Sequence, residues 1–145
     1  MGSRPEDADF AHSPHKYPLA QRLAALALAG DYGVGGLDSA YSPLPLSAVR
    51  RGGEAVVTFR CVNGGLSTLD AAPPAGFSVL DAAGAQIPVQ ARITASDTVC
   101  VQLPEGMDIA EVHFAMTNMA YAAQGNLCGG SGLPAPAFAL PLQNG

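Results

Sequence analysis

The sequence contains no tryptophan, few other aromatic residues and few basic ones. Phe, Trp and Tyr together make up 6% of the chain, and 7 Lys and Arg stand against 12 Asp and Glu, which gives a net charge of −5. Nucleic-acid binding depends on Lys and Arg side chains that neutralise phosphates. Apart from the pair Arg50-Arg51, the basic residues are scattered along the chain. The composition therefore argues against a nucleic acid as partner.

Long apolar runs are also missing. No stretch approaches the roughly 18 apolar residues of a transmembrane helix, and the first residues, Met1–Asp7, lack the basic and apolar regions of a secretory signal. The glycine-rich run Gly33–Gly36 has no Gly-Lys-Ser/Thr after it and no strand-like run before it, so it indicates a loop and not a phosphate-binding site. We expect neither a membrane partner nor a cofactor.

The three cysteines are too far apart to form a metal knuckle. They are Cys61, Cys100 and Cys128, whereas zinc sites of that kind bring two cysteines within a few residues of each other. Cys61 and Cys100 lie in strand-like runs, where a free cysteine behaves as a small apolar residue. We expect reduced, structural cysteines. A disulfide between Cys61 and Cys100 stays open as an alternative if their strands are neighbours.

The first periodic segment predicts an α-helix over Pro18–Gly30. Leu19, Leu23 and Leu26 recur at helical spacing, Pro18 suits a first turn, and Gly30 suits a C-terminal end. Alanines widen this apolar face, so the helix should lie against a large surface. We expect that surface to be the β-domain described next or a neighbouring copy of the chain, which leaves oligomer formation open.

Short strand-like runs follow at intervals of about ten residues, as is typical of a β-sandwich. The runs are Ala55–Val62, Phe77–Leu80, Gln86–Ile93, Thr98–Leu103 and Ile109–Met116. In Gln86–Ile93, alternate residues share one apolar face, and Pro88 predicts an edge strand or a bulge. The region Asn126–Phe138 is rich in glycine and proline, which predicts an extended tail anchored by Leu127, Leu133 and Phe138.

These observations predict a mainly β protein in which an N-terminal helix precedes a small antiparallel β-sandwich. The predicted division is a helical segment over residues 1–33, a linker over 34–53 and a sandwich over 54–145. The linker is inferred from the Gly, Pro and Ser residues between Asp31 and Gly53.

A candidate catalytic pair, Asp9 and His12, lies just before the predicted helix. A serine hydrolase needs a histidine base beside the nucleophile and a carboxylate that fixes the tautomer of that histidine. The Asp-x-x-His spacing allows one tight turn to bring the carboxylate to the imidazole. His15, three residues further on, admits the alternative of a metal site with Asp9 and His12, although a solvated histidine at a helix start is the simpler reading.

The residues around this pair resemble a family. The run His12–Ala24, with Ala27-Leu28 and Asp31–Gly33 after it, resembles the last catalytic block of sialate O-acetylesterase-like carbohydrate esterases, which are SGNH-type hydrolases. The closing segment of that family is similar to Val112–Ala115, Asn126-Leu127 and Gly132–Phe138.

The resemblance implies that the predicted helix is the last helix of an SGNH-type α/β hydrolase domain and that a β-domain follows it. It also implies that His12 is the catalytic base and Asp9 the acid that orients it. The match is imperfect, because Phe10-Ala11-His12-Ser13 stands where the family usually has Asp-Ile-His-Pro, so the acid of the family has no direct counterpart. Asp7 therefore remains an alternative to Asp9 as the acid.

The resemblance also exposes a missing nucleophile. The Gly-x-Ser block of the family lies far upstream of this helix, and the sequence offers only Ser131, in Gly130-Ser131-Gly132, which lies in the tail with no strand before it. We therefore expect a C-terminal part of a carbohydrate O-acetylesterase that is inactive alone, with an upstream SGNH catalytic segment and an acetylated carbohydrate as partners. The alternative is a non-catalytic β-sandwich that serves as an accessory or carbohydrate-binding module.

Other polar residues have simpler interpretations. His113 alternates with Val112 and Phe114 on its run, which places it on the opposite face and predicts a surface or interface residue. The tyrosines Tyr32, Tyr41 and Tyr121 are not clustered in the sequence, and without tryptophan they are expected to pack and not to form a sugar platform.

Overall fold

The computed structural model describes residues 17–36, 40–116 and 125–145. In these residues one α-helix precedes a set of short strands. The mainly β fold with an N-terminal helix, which the sequence predicts, is therefore confirmed.

The helix α1 spans Tyr17–Gly30, close to the predicted bounds. Its end is fixed by a turn in which Gly33 has a positive φ of 65°, a conformation that costs glycine little. The N–H of Asp31 donates to the carbonyl of Ala27 (2.8 Å), and the N–H of Val34 donates to the carbonyl of Leu28 (2.9 Å). These bonds fold the residues after α1 back onto its last turn.

Ten strands follow in the described residues. They are β1 (Leu44–Arg51), β2 (Glu54–Arg60), β3 (Ser67–Thr68), β4 (Phe77–Asp81), β5 (Gln86–Pro88), β6 (Ala91–Ala95), β7 (Thr98–Gln102), β8 (Ile109–Phe114), β9 (Leu127–Cys128) and β10 (Phe138–Asn144). Eight of them form one sheet in the order β5-β4-β8-β10-β1-β2-β7-β6, and β3 pairs with β9. Every pair is antiparallel except β1 with β10, which run parallel.

The large sheet curls so that its first and last strands meet. β5 and β6 stand at opposite ends of the strand order, yet only Val89 and Gln90 separate them in the chain. The N–H of Val89 donates to the carbonyl of Phe77 in β4 (3.2 Å), while the carbonyl of Gln90 accepts from Gln102 in β7 (2.9 Å). The corner at Val89-Gln90 joins the half of the sheet that begins with β5 and β4 to the half that ends with β7 and β6. It leaves fewer exposed edges.

The predicted strand Gln86–Ile93 therefore exists as two strands. It divides after Pro88, which agrees with the edge or bulge that proline predicts. The predicted apolar face is also confirmed, because all four of its residues pack against the core: Ile87, Val89, Ala91 and Ile93.

The core lies inside the curl. Along β2 the side chains alternate, so that Ala55, Val57 and Phe59 are buried. Four phenylalanines are central to the core. The ring centroids are 4.9 Å apart for Phe77 and Phe114, 5.5 Å for Phe114 and Phe138, and 5.8 Å for Phe59 and Phe138. Such pairs contribute about 0.5–1.5 kcal/mol each beyond the burial of their surfaces.

The predicted linker over 34–53 is wrong for Leu44–Arg51, which forms β1 in the middle of the sheet. Pro45 suggested a break because it has no N–H to donate. It lies beside a register shift between Pro45 and Ser47, where the ladder with β2 is already irregular. Beyond it, Ala48 is fully buried and pairs with Val57 in β2 and with Leu142 in β10.

The tail is more regular than predicted. Leu127 and Phe138 are buried as expected, while Leu133 is only half-buried. Phe138, the last residue of the predicted tail, begins β10 (Phe138–Asn144), which pairs with β8 on one side and β1 on the other. The apolar alternation of Phe138, Leu140 and Leu142 is present in the sequence, but Pro141, which has no N–H to donate, argues against a strand inside a sheet.

Candidate functional site

The predicted catalytic base and acid, His12 and Asp9, lie outside the described residues, as do Asp7 and His15. Description of the chain begins at Tyr17, five residues after His12, with the first residue of α1. The roles of these four residues therefore stay predictions. The structure does describe α1, which follows these four residues in the sequence.

The apolar face of α1 is exposed. Leu23 is 59% exposed and Leu28 46%, while Leu26 is half-buried. Of the two predicted covers, the β-domain is therefore excluded for Leu23 and Leu28, and a neighbouring copy of the chain stays a prediction. The β-domain has its own closed core, built from residues between Ala48 and Phe138, and it does not need the leucines of α1. Among the α1 side chains that the structure describes, only that of Ala29 is buried.

Ser131 lies in an exposed tight turn. The N–H of Gly132 donates to the carbonyl of Gly129 (2.9 Å), and the N–H of Gly129 donates to the carbonyl of Leu133 (3.1 Å). This turn is fixed against the residues after β2, because the N–H of Gly130 donates to the carbonyl of Val62 (2.8 Å). In the part of the chain that the structure describes, no histidine or carboxylate is hydrogen-bonded to the Ser131 hydroxyl. Nothing there activates it as a nucleophile.

A polar cluster around His113, whose contacts the sequence did not predict, lies on the outer face of β8. His113 Nε2 is 2.7 Å from Glu111 Oε2. The imidazole is buried, and its Nδ1 is a buried atom with no hydrogen-bond partner. His113 therefore faces away from the core as predicted, but it is not a surface residue. The signal in the sequence was the spacing Glu111-x-His113, which places both side chains on one face of a strand.

Ser78 lies opposite His113 in β4. Its hydroxyl accepts a hydrogen bond from Gln86 Nε2 (2.8 Å), and the same amide nitrogen donates to the carbonyl of Met116 (2.9 Å). A serine triad needs the carboxylate on one imidazole nitrogen and the serine on the other. Here Glu111 occupies Nε2, and Ser78 is bonded to Gln86 while Nδ1 is unpaired. The cluster is therefore built as a structural network and not as a triad.

Asn126, in the segment that resembles the closing region of the esterase family, has a structural role. Its side-chain amide donates to Asp70 Oδ1 (2.8 Å) and to the carbonyl of Pro73 (3.0 Å), and its Oδ1 accepts from the N–H of Ala75 (2.8 Å). The hydrogen bond from Asn126 holds the pKa of Asp70 below its usual value. Asn126 thus fixes the loop between β3 and β4.

Glu54 and Arg92 form an ion pair on the outer face of the other half of the sheet. Arg92 Nη1 donates to Glu54 Oε1, and Arg92 Nη2 donates to Glu54 Oε2 (2.9 Å). These hydrogen bonds lower the pKa of Glu54 and raise the pKa of Arg92. Both groups are accessible to solvent, so the pair stabilises the fold only slightly.

All three cysteines are reduced thiols, as predicted. A disulfide between Cys61 and Cys100 is excluded by the strand register. Cys100 pairs with Val56, and Arg60, the last residue of β2 and the neighbour of Cys61, lies about 13 Å beyond Val56 in the extended strand. A disulfide requires Cα atoms within about 7 Å.

The described residues also bear on two further classes of site. No group of three or more His, Cys, Asp and Glu side chains is placed to hold a metal ion there. His15, the histidine of the metal alternative, is outside those residues. The same part of the chain contains no helix that is long and apolar enough to cross a membrane.

No protein-family model matches the chain, and no curated protein does. One solved structure that does match is a carbohydrate acetylesterase from Xanthomonas citri, with a TM-score of 0.77 and 25% sequence identity. The match covers 88% of this chain and 28% of that chain. The present chain thus spans less than a third of the length of the esterase to which it is similar. The comparison supports a relationship to a carbohydrate esterase.

Proposed function

We propose that this chain is the C-terminal part of a carbohydrate O-acetylesterase of the SGNH type, and that it supplies the histidine and the acid of the catalytic triad. The observation that carries the proposal is the similarity to a carbohydrate acetylesterase over most of this chain but a minor part of that enzyme. A segment of the remaining length would hold the serine. The order of elements also supports the proposal, because the Asp9 and His12 pair directly precedes α1 and the β-domain follows it.

The proposed reaction is acyl transfer in two steps. The serine oxygen attacks the acetyl carbonyl carbon while His12 takes the hydroxyl proton, and His12 then returns that proton to the departing sugar oxygen. Water next attacks the acetyl-serine ester, again with His12 as the base, and acetate leaves. Asp9 holds the imidazole in the tautomer that presents a bare nitrogen to the serine and stabilises the imidazolium form.

The substrate is proposed to be an O-acetylated sugar, of which sialic acid is one candidate. The similarity to a carbohydrate acetylesterase supports this class. That a sugar is polar is no reason to place its binding site on the β-domain. In that domain the described phenylalanines are all buried.

The same finding bears on the alternative of a carbohydrate-binding module. Such modules bind sugars largely by stacking them on exposed aromatic rings, which combine apolar faces with polar edges. Among the aromatic side chains that the structure describes, only Tyr32 and Tyr41 are exposed, and both precede β1. The described faces of the sandwich therefore offer no aromatic platform, which favours the esterase over the binding module.

Reconstitution tests the proposal. The polypeptide encoded directly upstream, in the same reading frame or in the neighbouring gene, would be produced separately and mixed with this chain. We expect acetate release from an aryl acetate and from acetylated sugars only in the mixture. The proposal fails if the upstream sequence encodes no Gly-x-Ser-containing α/β segment, or if that segment is equally active without this chain.

A further inference from the structure

Three loops meet at the end of the sheet where β1 begins and β2 ends. We define the loop cluster as residues Tyr41–Pro43 before β1, Cys61–Gly65 after β2 and Gly129–Gly132 after β9. Asn63 joins the first two loops, because its Nδ2 donates to the carbonyl of Tyr41 (3.4 Å). Gly130 joins the third loop to the second, since its N–H donates to the carbonyl of Val62 (2.8 Å). The three loops are therefore held together as one unit.

The middle loop has an unfavourable backbone conformation. Cys61 and Asn63 both have a positive φ, of 57° and 50°, and neither is glycine. Residues with side chains avoid this region, and those that are held in it occur often at ligand sites. The packing is also too close for a side chain at Gly130, because a Cβ atom there would overlap the carbonyl oxygen of Asn63. The loop cluster therefore has one fixed arrangement.

Tyr41 is presented to solvent by this fixed cluster. The residue is 40% exposed, although Ala40 before it is buried and Pro43 after it is fully buried. Its backbone is thus anchored on both sides while its side chain stays accessible. A tyrosine combines an apolar ring face with a polar hydroxyl, and ligand sites combine aromatic side chains with a few polar groups. Tyr41 has the properties of a binding residue.

The rest of the loop cluster is small or polar and carries no charge. Its three loops contain no Asp, Glu, Lys, Arg or His, and Ser131 is exposed in its turn. An aromatic ring beside uncharged hydrogen-bonding groups suits a neutral pyranose, whose C–H face stacks on the ring while its hydroxyls bond to polar groups. A carboxylated sugar fits less well, because the cluster has no cation to pair with the carboxylate.

We propose that the loop cluster binds a neutral sugar unit, with Tyr41 as the stacking residue. This inference rests on the proposed function, which makes carbohydrate the ligand class, and it adds a contact between the β-domain and the substrate. A single ring is less than the aromatic platform of a binding module. The expected Kd is therefore weak, on the order of 1 mM.

The test titrates the ¹⁵N-labelled chain with three neutral oligosaccharides, xylotetraose, cellotetraose and mannotetraose, and separately with N-acetylneuraminic acid. We expect at least one neutral sugar to shift the amide signals of Gly64 and Gly130. Tyr41→Ala should weaken that binding roughly tenfold, whereas Tyr41→Phe, which keeps the ring, should bind nearly as well as the wild type. Tyr32→Ala is the matched control, because Tyr32 is 75% exposed but lies outside the loop cluster.

Unchanged unfolding temperatures will show that these variants fold, as expected for exposed positions. The inference is overturned if none of the three neutral sugars shifts the cluster, or if N-acetylneuraminic acid binds more tightly than they do. It is also overturned if Tyr32→Ala weakens binding as much as Tyr41→Ala does.

Failure of this inference is distinguishable from failure of the proposed function, because sugar binding is measured on this chain and acetate release on the reconstituted enzyme. If the enzyme releases acetate but the chain binds no sugar, the esterase proposal stands without this site. If Tyr41 supports sugar binding but the mixture releases no acetate, the proposed function fails while the sugar site remains.

Discussion

His113 Nε2 lies 2.7 Å from Glu111 Oε2 on the outer face of the sheet, and the same imidazole has a buried Nδ1 with no partner. A buried polar group that loses its one hydrogen bond pays for its desolvation without compensation. The hydrogen bond between His113 and Glu111 therefore stabilises the fold. The fold depends on Glu111 more than the partial exposure of that residue suggests.

We expect Glu111→Ala to lower the free energy of unfolding by about 1–2 kcal/mol, since it leaves both nitrogens of His113 unpaired. In the background of His113→Leu the same change should cost much less, because the group that needed the carboxylate is gone. Urea unfolding of the four proteins in this double-mutant cycle measures the difference. Equal costs in the two backgrounds would show that the pair does not interact.

A control for this cycle is Glu105→Ala. Glu105 is an exposed acid in the turn between β7 and β8, and exposed substitutions of this kind change stability by less than about 0.5 kcal/mol. A large loss at Glu105 would mean that acidic charge, and not the contact with His113, explains the result at Glu111.

Gly125 is expected to tolerate no side chain, because a Cβ atom there would overlap the ring of Phe114. We expect Gly125→Ala to destabilise the fold by about 1–3 kcal/mol, the usual cost of overfilling a packed core. Gly53→Ala is the matched control, since no atom lies within 4 Å of a Cβ at Gly53 and its φ is not positive. Thermal unfolding measures both. Equal stability of the two variants would mean that the ring of Phe114 moves aside without cost.

The ion pair of Glu54 and Arg92 predicts a pH dependence. The pKa of Glu54 is lowered by the hydrogen bonds from Arg92, so its stabilising contribution is present above the unfolded pKa and is lost as the pH falls through the folded pKa. We expect Arg92→Gln to lower the unfolding temperature slightly at pH 7 and not at all in acid, where Glu54 is protonated in both states. An effect of equal size at both pH values would contradict this assignment.

The choice between Asp9 and Asp7 as the acid predicts a clear difference in rate. In the reconstituted enzyme, Asp9→Asn should reduce kcat by about 10³–10⁴-fold, because an amide in place of the carboxylate favours the wrong tautomer of the base. Asp7→Asn should leave kcat nearly unchanged. The reverse pattern in steady-state kinetics would assign the role to Asp7.

The sequence predicts well the helices and strands whose residue pattern lies within the element itself. α1 follows from leucines at helical spacing, and β2, β4, β7 and β8 follow from short apolar runs bounded by turns. β1 and β10 were missed because both sequences contain proline and because they pair with each other across more than 90 residues of the chain. The parallel pairing of Ala48 with Leu142 shows this directly.

The candidate site is less accessible to prediction. Asp9 and His12 were found through spacing and family resemblance, and both lie outside the described residues. The His113 pair was missed because alternation gives the face of a strand but not what covers it. The exposure of Leu23 could not be foreseen either, since the sequence shows an apolar helix face without its partner.

The most direct test of the central claim, that this chain supplies the catalytic base, is the rate of acetate release by the reconstituted enzyme with His12→Ala. We expect a loss of about 10²–10⁴-fold in kcat, with binding of the upstream segment unchanged. His15→Ala, which removes a histidine only three residues away, should retain close to the wild-type rate. Activity that survives His12→Ala, or that is lost equally with His15→Ala, would contradict the account.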